Sequence, residues 1–202
     1  MRLRGLVVLS ILVAWSGLVG YGACGTALLV IDVQELFLDR HPWVTSEGEA
    51  VVDAIVRALA LARSANIPVI YIQDFSTPNW EEFFADELGF PAAIAPHEGD
   101  AVIEKTAPSA FRDAALADLL GALGVEHLLF TGIASDGCVE ATLFAAIALG
   151  YEVTVIADVH ASWKAAASAS IRMNSYWRSL GVSVIPLADV DWASLGCDPE
   201  GD

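Results

Sequence analysis

Short uninterrupted apolar runs alternate along the chain with longer stretches in which apolar residues recur every three or four positions, the pattern of buried strands separated by amphipathic helices. The first run, Thr26–Ile31, ends at Asp32 and reads as a buried parallel strand that delivers a carboxylate at its C-terminal end. Residues 49–65 carry Val52, Ile55, Val56 and Leu59 at helical spacing, and Asn66 marks the end of that helix. Residues 68–73 form the second predicted strand. The loop-rich stretch 74–100 that follows, with Trp80, Phe83, Phe84 and Phe90, suits a pocket wall. A strand over 101–104, a helix over 109–123 and a strand over 127–131 come next, the last running into Gly132. Residues 138–149 read as a helix closed by Gly150, 152–157 as the fifth strand, 165–180 as a helix and 182–186 as the sixth strand.

Six strands alternating with helices imply right-handed crossovers and a single three-layer α/β/α domain around a mainly parallel, six-stranded sheet with Rossmann-like topology. Functional sites in such sheets lie beyond the C-terminal strand ends. The expected organisation is an N-terminal segment over 1–24, the α/β domain over 25–190 and an acidic, peripheral tail over 191–202.

The N-terminal segment begins with Arg2 and Arg4 and then runs without a charge over residues 5–22, which matches an export signal. Its Gly22-Ala23-Cys24 ending is like a lipoprotein cleavage box, with Tyr21 where that box usually has Leu. Export or membrane attachment is the expectation. An uncleaved anchor and a start codon placed too far upstream of a cytoplasmic enzyme stand as alternatives.

Composition narrows the class. Of 202 residues 55% are hydrophobic and 18% charged, which excludes disorder and suits a sheet buried on both faces. The net charge of -16 repels phosphates, so nucleic acid is excluded as a partner and a small-molecule substrate is expected. The three cysteines, Cys24, Cys138 and Cys197, show no C-x-x-C spacing, which argues against a structural zinc site or a disulfide framework. A bridge between Cys24 and Cys197 is compatible with export, but sequence does not show that the two ends meet.

Three side chains fall where this topology reserves space for chemistry: Asp32 after the first strand, Lys105 after the third, and Cys138 where the fourth strand turns into a helix. A cysteine at a helix N-terminus meets unpaired N–H groups that favour the thiolate, and the small-residue turn 132–137 can bring backbone amides to a substrate oxygen. Asp136 reads as the N-cap of that helix. Asp32 can take a thiol proton and return it to a leaving amine, and an ammonium stabilises both anions. Taken alone, each of these residues also has a structural reading.

Together they resemble a known family. Leu29-Val-Ile-Asp-Val-Gln34, Val102-Ile-Glu-Lys105 with Ser109-Ala-Phe111, and Thr131-Gly-Ile-Ala-Ser-Asp-Gly-Cys-Val139 followed by Ala141-Thr142 are similar to motifs of the isochorismatase-like cysteine hydrolases, which include nicotinamidases and N-carbamoylsarcosine amidase. The resemblance implies Asp32 as general base then acid, Lys105 as its electrostatic partner and Cys138 as nucleophile. It further implies a cis peptide between Ile133 and Ala134, an oxyanion site at the Ala134 and Cys138 amides, Gln34 lining the site, and a homo-oligomer. No metal or other cofactor is expected, because the segment after the second strand reads Gln73-Asp-Phe-Ser-Thr-Pro-Asn79 where nicotinamidases place metal-binding histidines. His41, His97, His127 and His160 are scattered, and His160 reads as a site-edge residue. Phe37, Trp43, Phe75, Trp80, Phe83, Phe84 and Trp163 are candidates for an apolar pocket lining.

The expected activity is hydrolysis of a small-molecule amide or carbamoyl-type C–N bond through a Cys138 thioester. Two alternatives stand beside it: vinyl-ether hydrolysis led by Asp32, as in isochorismatases, and a non-catalytic exported binding protein on the same fold.

Overall fold

The computed structural model of the protein describes residues 24–39, 45–77, 82, 84–163 and 169–197. Residues 1–23, His41, Trp43, Trp80, Phe83, Lys164 and residues 198–202 lie outside these, and with them the export-signal reading and part of the pocket-lining set.

Six strands, β1 (Thr26–Ile31), β2 (Val69–Asp74), β3 (Ala101–Lys105), β4 (His127–Ile133), β5 (Glu152–Ala161) and β6 (Ser183–Ile185), form one parallel sheet in the order β3-β2-β1-β4-β5-β6. The chain winds outward from β1 through β2 to β3, then restarts at β4 on the other side of β1. The topological switch point, where crevices open in such sheets, therefore lies between β1 and β4.

Every residue of β1 is buried, as its unbroken apolar run requires. Leu28 and Val30 face one apolar layer with Val51, Ile55, Ala58, Leu59 and Ala62 of the helix Thr45–Ser64 (α2), which follows the short helix Glu35–Asp39 (α1). Ala27, Leu29 and Ile31 face the other, with Leu116, Leu119, Leu120 and Leu123 of Ala114–Leu123 (α3), Leu143 and Ala146 of Glu140–Leu149 (α4), and Trp177 of Ala169–Ser179 (α5). Burying a side chain of this kind contributes about 1.5–3 kcal/mol, so the two-faced strand carries much of the stability.

Element ends differ from the sequence pattern for local reasons. The helix expected over 109–123 begins at Ala114, because Ala110 donates its N–H to Thr142 Oγ1 (3.1 Å) and Phe111 to Ser109 Oγ (3.2 Å), a turn incompatible with helix. β5 extends four residues past the expected 157, because a bulge lets it rejoin β4: Phe130 pairs with Val155, yet Gly132 pairs with His160. The helix expected from Cys138 starts at Glu140, after a tight turn over Ser135–Val139 in which the Val139 N–H reaches back to the Ala134 carbonyl (3.2 Å).

The tail is fastened to the domain where it is described. Trp192–Leu195 (α6) is capped by Asp191, and Cys197 is disulfide-bonded to Cys24 with Cα atoms 5.2 Å apart. The Cys197 N–H also donates to the Ala65 carbonyl at 3.0 Å. The bond ties the start of β1 to the C-terminal segment and leaves Cys138 as the free thiol.

One glycine is required by the sheet itself. Gly132 has φ 116°, and a Cβ there would run into the backbone of Ile31, 2.6 Å from its nitrogen and 2.9 Å from its carbonyl carbon. Gly132→Ala is expected to destabilise the fold by roughly 3 kcal/mol or more, while Gly121→Ala, in a helix with open space around it, is expected to stabilise by about 0.5–1 kcal/mol. Denaturant unfolding of the two variants checks both signs.

Candidate active site

Asp32, Lys105 and Cys138 converge at the C-terminal edge of the sheet. Asp32 leaves β1 in the left-handed region (φ 52°), with its N–H bonded to the Ile72 carbonyl (3.0 Å) and its own carbonyl accepting from the Gln34 N–H (2.9 Å). Asp tolerates this conformation better than most residues, at a cost of about 1–3 kcal/mol, and the turn stops the strand at the carboxylate. Cys138 lies across the switch point, in the turn after β4.

Lys105 is the hub. Its buried Nζ stands 2.9 Å from Asp32 Oδ2, 3.1 Å from Asp74 Oδ1 and 3.4 Å from Cys138 Sγ, and it donates to the Ala107 carbonyl at 3.0 Å. Asp74 is thus a fourth member of the cluster, which the sequence reading left out. The available signal was positional: Asp74 ends β2 as Lys105 ends β3, and the two are register partners. Ser76 holds the Asp74 carboxylate through its N–H and its hydroxyl, both at 3.0 Å.

Electrostatics set the proton positions. Burial pushes the Asp32 carboxyl up, the Lys105 ammonium pulls it back, and the result is about 7. Burial, then the neighbouring Asp32 carboxylate, push the Cys138 thiol up to about 12, outweighing Lys105. The helix-terminus thiolate expected from sequence is therefore not the resting state: the sulfur keeps its proton. Burial alone would lower Lys105, but the pull of the Asp32 and Asp74 carboxylates raises it, so it is an ammonium.

Ligand atoms of Asp32, Asp74 and Cys138 lie within 4.8 Å of one another, a spacing that could suit a metal. The Lys105 ammonium, within 3.4 Å of all three, already takes the place a cation would occupy.

The remaining site residues have distinct places. The Ile133–Ala134 peptide is cis, the Ile133 side chain packs in the apolar layer of α2, and the Ala134 carbonyl accepts from Gly137 (3.0 Å) and Val139. Gln34, expected to line the substrate space, braces the site from within instead. Its fully buried amide donates to the Leu88 carbonyl (2.9 Å) and the Asp74 carbonyl (3.3 Å) and accepts from the Asp74 N–H (2.7 Å). Asp136, expected as an N-cap, lies inside the turn and accepts from Ser162 Oγ (2.8 Å) and the Trp163 N–H (3.3 Å). Phe37 meets Trp163 edge-on at 5.5 Å, while Phe75 and Phe84 pack partly buried against the same layer. His160, expected at the site edge, is buried within β5.

Comparison with known proteins agrees with this geometry. The isochorismatase domain model matches residues 26–181. The chain is 30% identical to the ureidoacrylate amidohydrolase RutB of Variovorax paradoxus over 67% of its own length and 68% of that protein. It is 35% identical to a streptothricin hydrolase of Streptomyces noursei over 72% of its own length, but spans only 52% of that protein. Among solved structures, an isochorismatase family protein from Desulfovibrio vulgaris matches with a TM-score of 0.73 and 25% identity, over 83% of this chain and 97% of the other. N-carbamoylsarcosine amidase from Thermoplasma acidophilum shares the fold, with a TM-score of 0.70 at 24% identity over 82% and 98%. With its six-stranded parallel sheet and this cluster at the switch point, the chain belongs to the isochorismatase family.

Proposed function

We propose that the protein is an amidohydrolase that cleaves an amide or carbamoyl-type C–N bond of a small molecule through a Cys138 thioester. The observation that carries this reading is the free thiol within 3.4 Å of a lysine that also pairs with Asp32. A thiol in that position has no task in vinyl-ether hydrolysis led by the carboxylate, and a binding protein gains nothing from gathering four reactive groups together. The amidohydrolases among the relatives support the same reaction class.

Asp32 accepts the thiol proton as sulfur attacks the carbonyl carbon, and Lys105 stays bonded to the sulfur as charge develops on it. The backbone amides of Ala134 and Cys138 are assigned to the oxyanion. Collapse of the tetrahedral intermediate breaks the C–N bond, Asp32 returns its proton to the departing nitrogen, and water then hydrolyses the thioester with Asp32 again as base. Asp74 pairs with the same ammonium and adds negative charge that keeps Asp32 basic.

The apolar N-terminal segment and the Cys24–Cys197 disulfide together support action outside the cytoplasm. They also argue against lipidation, because a sulfur in a disulfide carries no diacylglycerol. The mature exported protein should have an intact mass two hydrogens below that of its reduced form, with no lipid on Cys24; a diacylglyceryl adduct there would sink this reading.

Cys138→Ala and Asp32→Asn should each lower kcat for an accepted amide by at least on the order of a thousandfold. Ammonia or amine release, measured across a panel of small amides, ureas and carbamoyl compounds, provides the check. Wild-type turnover in either variant would refute the mechanism.

The working form needs Asp32 ionised, so kcat/KM should rise with pH through about 7 and be lost as pH falls below it. The thiol, held near 12, adds no alkaline limb in the usual range. Because the Asp74 charge is one of the causes that raise Asp32, Asp74→Asn should move the acidic limb to lower pH. A limb that stays put or moves up would contradict the role given to Asp74.

A further inference from the structure

A buried polar chain runs behind the turn that carries Cys138. Ser135 Oγ and His160 Nδ1 are 2.7 Å apart, His160 Nε2 and Asn174 Oδ1 are 2.8 Å apart, and Asn174 Nδ2 donates to the Ala157 carbonyl at 2.8 Å. All three side chains are buried, Ser135 completely. The last bond fixes the direction of the others. With its NH2 on a carbonyl, Asn174 presents oxygen to His160, so His160 carries its proton on Nε2 and accepts at Nδ1 from the Ser135 hydroxyl. Burial keeps the imidazole neutral, lowering its pKa to about 4 against the raising effects of the Asn174 bond and Asp158.

The strand bulge exists in the right place to make this chain. It advances β5 so that His160 pairs with Gly132, two residues before Ala134, and sets the ring edge-on against Trp177 at 5.1 Å. A second line of bonds comes from the same end of β5, with Ser162 and Trp163 donating to Asp136. Two of the three residues between Ala134 and Cys138 are thereby anchored to β5. An apolar set of the same shape would fill the space without the desolvation cost of three buried polar groups.

We propose that Ser135, His160 and Asn174 are positioning residues that fix the Ala134–Cys138 turn, and so set the Cys138 sulfur against Asp32 and Lys105. The proposal rests on the cysteine-hydrolase reading for its turnover assay. Alkylation of Cys138 by iodoacetamide supplies a readout that does not depend on the amide substrate, since Cys138 is the free thiol.

His160→Phe keeps a ring against Trp177 and removes both hydrogen bonds. It should lower kcat and the alkylation rate by roughly tenfold to a hundredfold with KM little changed, the scale of a small misplacement of reacting groups. His160→Gln, which can accept from Ser135 and donate to Asn174, should recover most of the loss. Ser135→Ala combined with His160→Phe should be no worse than the more damaging single variant, since the two act as one chain.

His160 also lines a cavity of about 240 Å³, together with Val51, Asp158 and Ile171 among others. Imidazole added to His160→Ala should therefore enter and restore activity, which serves if His160→Phe does not fold. Unchanged kcat and alkylation in a folded His160→Phe, a double variant that loses the product of the two single effects, or failure of both Gln and imidazole to rescue would each overturn the proposal. If wild-type protein turns over no amide but the alkylation series behaves as described, the positioning role stands and the amidase reading falls.

Discussion

An ammonium buried at the edge of an apolar sheet is tolerable only if its charge is answered on every side, and Lys105 is answered by two carboxylates, a carbonyl and a sulfur within 3.4 Å. Each partner comes from a different stretch of chain. β1 must therefore stop at Asp32, β2 at Asp74 and β3 at Lys105, with the turn after β4 arriving at the same height. Removing one partner leaves an uncompensated buried charge, so the cluster constrains the register of four adjacent segments at once.

Several otherwise unrelated features follow from that demand. Gly132 lets β4 lie close enough to the end of β1 for Cys138 to reach across the switch point. The left-handed Asp32 ends its strand without a longer turn. Gln34 grips both backbone groups of Asp74, fixing the neighbouring strand end from which that carboxylate projects. The bond from Ala110 to Thr142 clamps the loop after Lys105 onto α4, so the lysine and the cysteine are referenced to the same helix.

The layered architecture and its six strands were legible in the sequence because the central strands are short apolar runs bounded by helical periodicity, and because the carboxylate, lysine and cysteine stand at or just beyond strand ends. The strand ends beyond position 131 and position 157 were not legible. Gly132 interrupts the apolar run in β4, and the bulge in β5 breaks the period that identifies a strand. Gln34 and Asp136 have side chains whose types allow many roles, and only the surrounding carbonyls and N–H groups decide among them. The relay from Ser135 to Asn174 joins residues 39 positions apart through a bulge, a relation that no local spacing encodes. The Cys24–Cys197 bond spans a sequence separation of 173, so the pairing that the sequence leaves open is decided only by the fold.

The protonation pattern also reverses the simplest idea of how a reactive cysteine is made. A turn at a helix start and a nearby ammonium favour thiolate, but burial and the adjacent carboxylate favour thiol more strongly here. Loss of the thiol proton to bulk water would add a negative charge to a buried group that already holds two carboxylates against one ammonium. Passing the proton to Asp32 leaves the net charge of the cluster unchanged. The low-cost route to a nucleophilic sulfur therefore runs through Asp32, whose carboxyl, raised to about 7, is basic enough to receive the proton and acidic enough to release it to a departing nitrogen. A stable preformed thiolate is not needed, and a sulfur that ionises only when an electrophile is in place is less exposed to oxidation between turnovers.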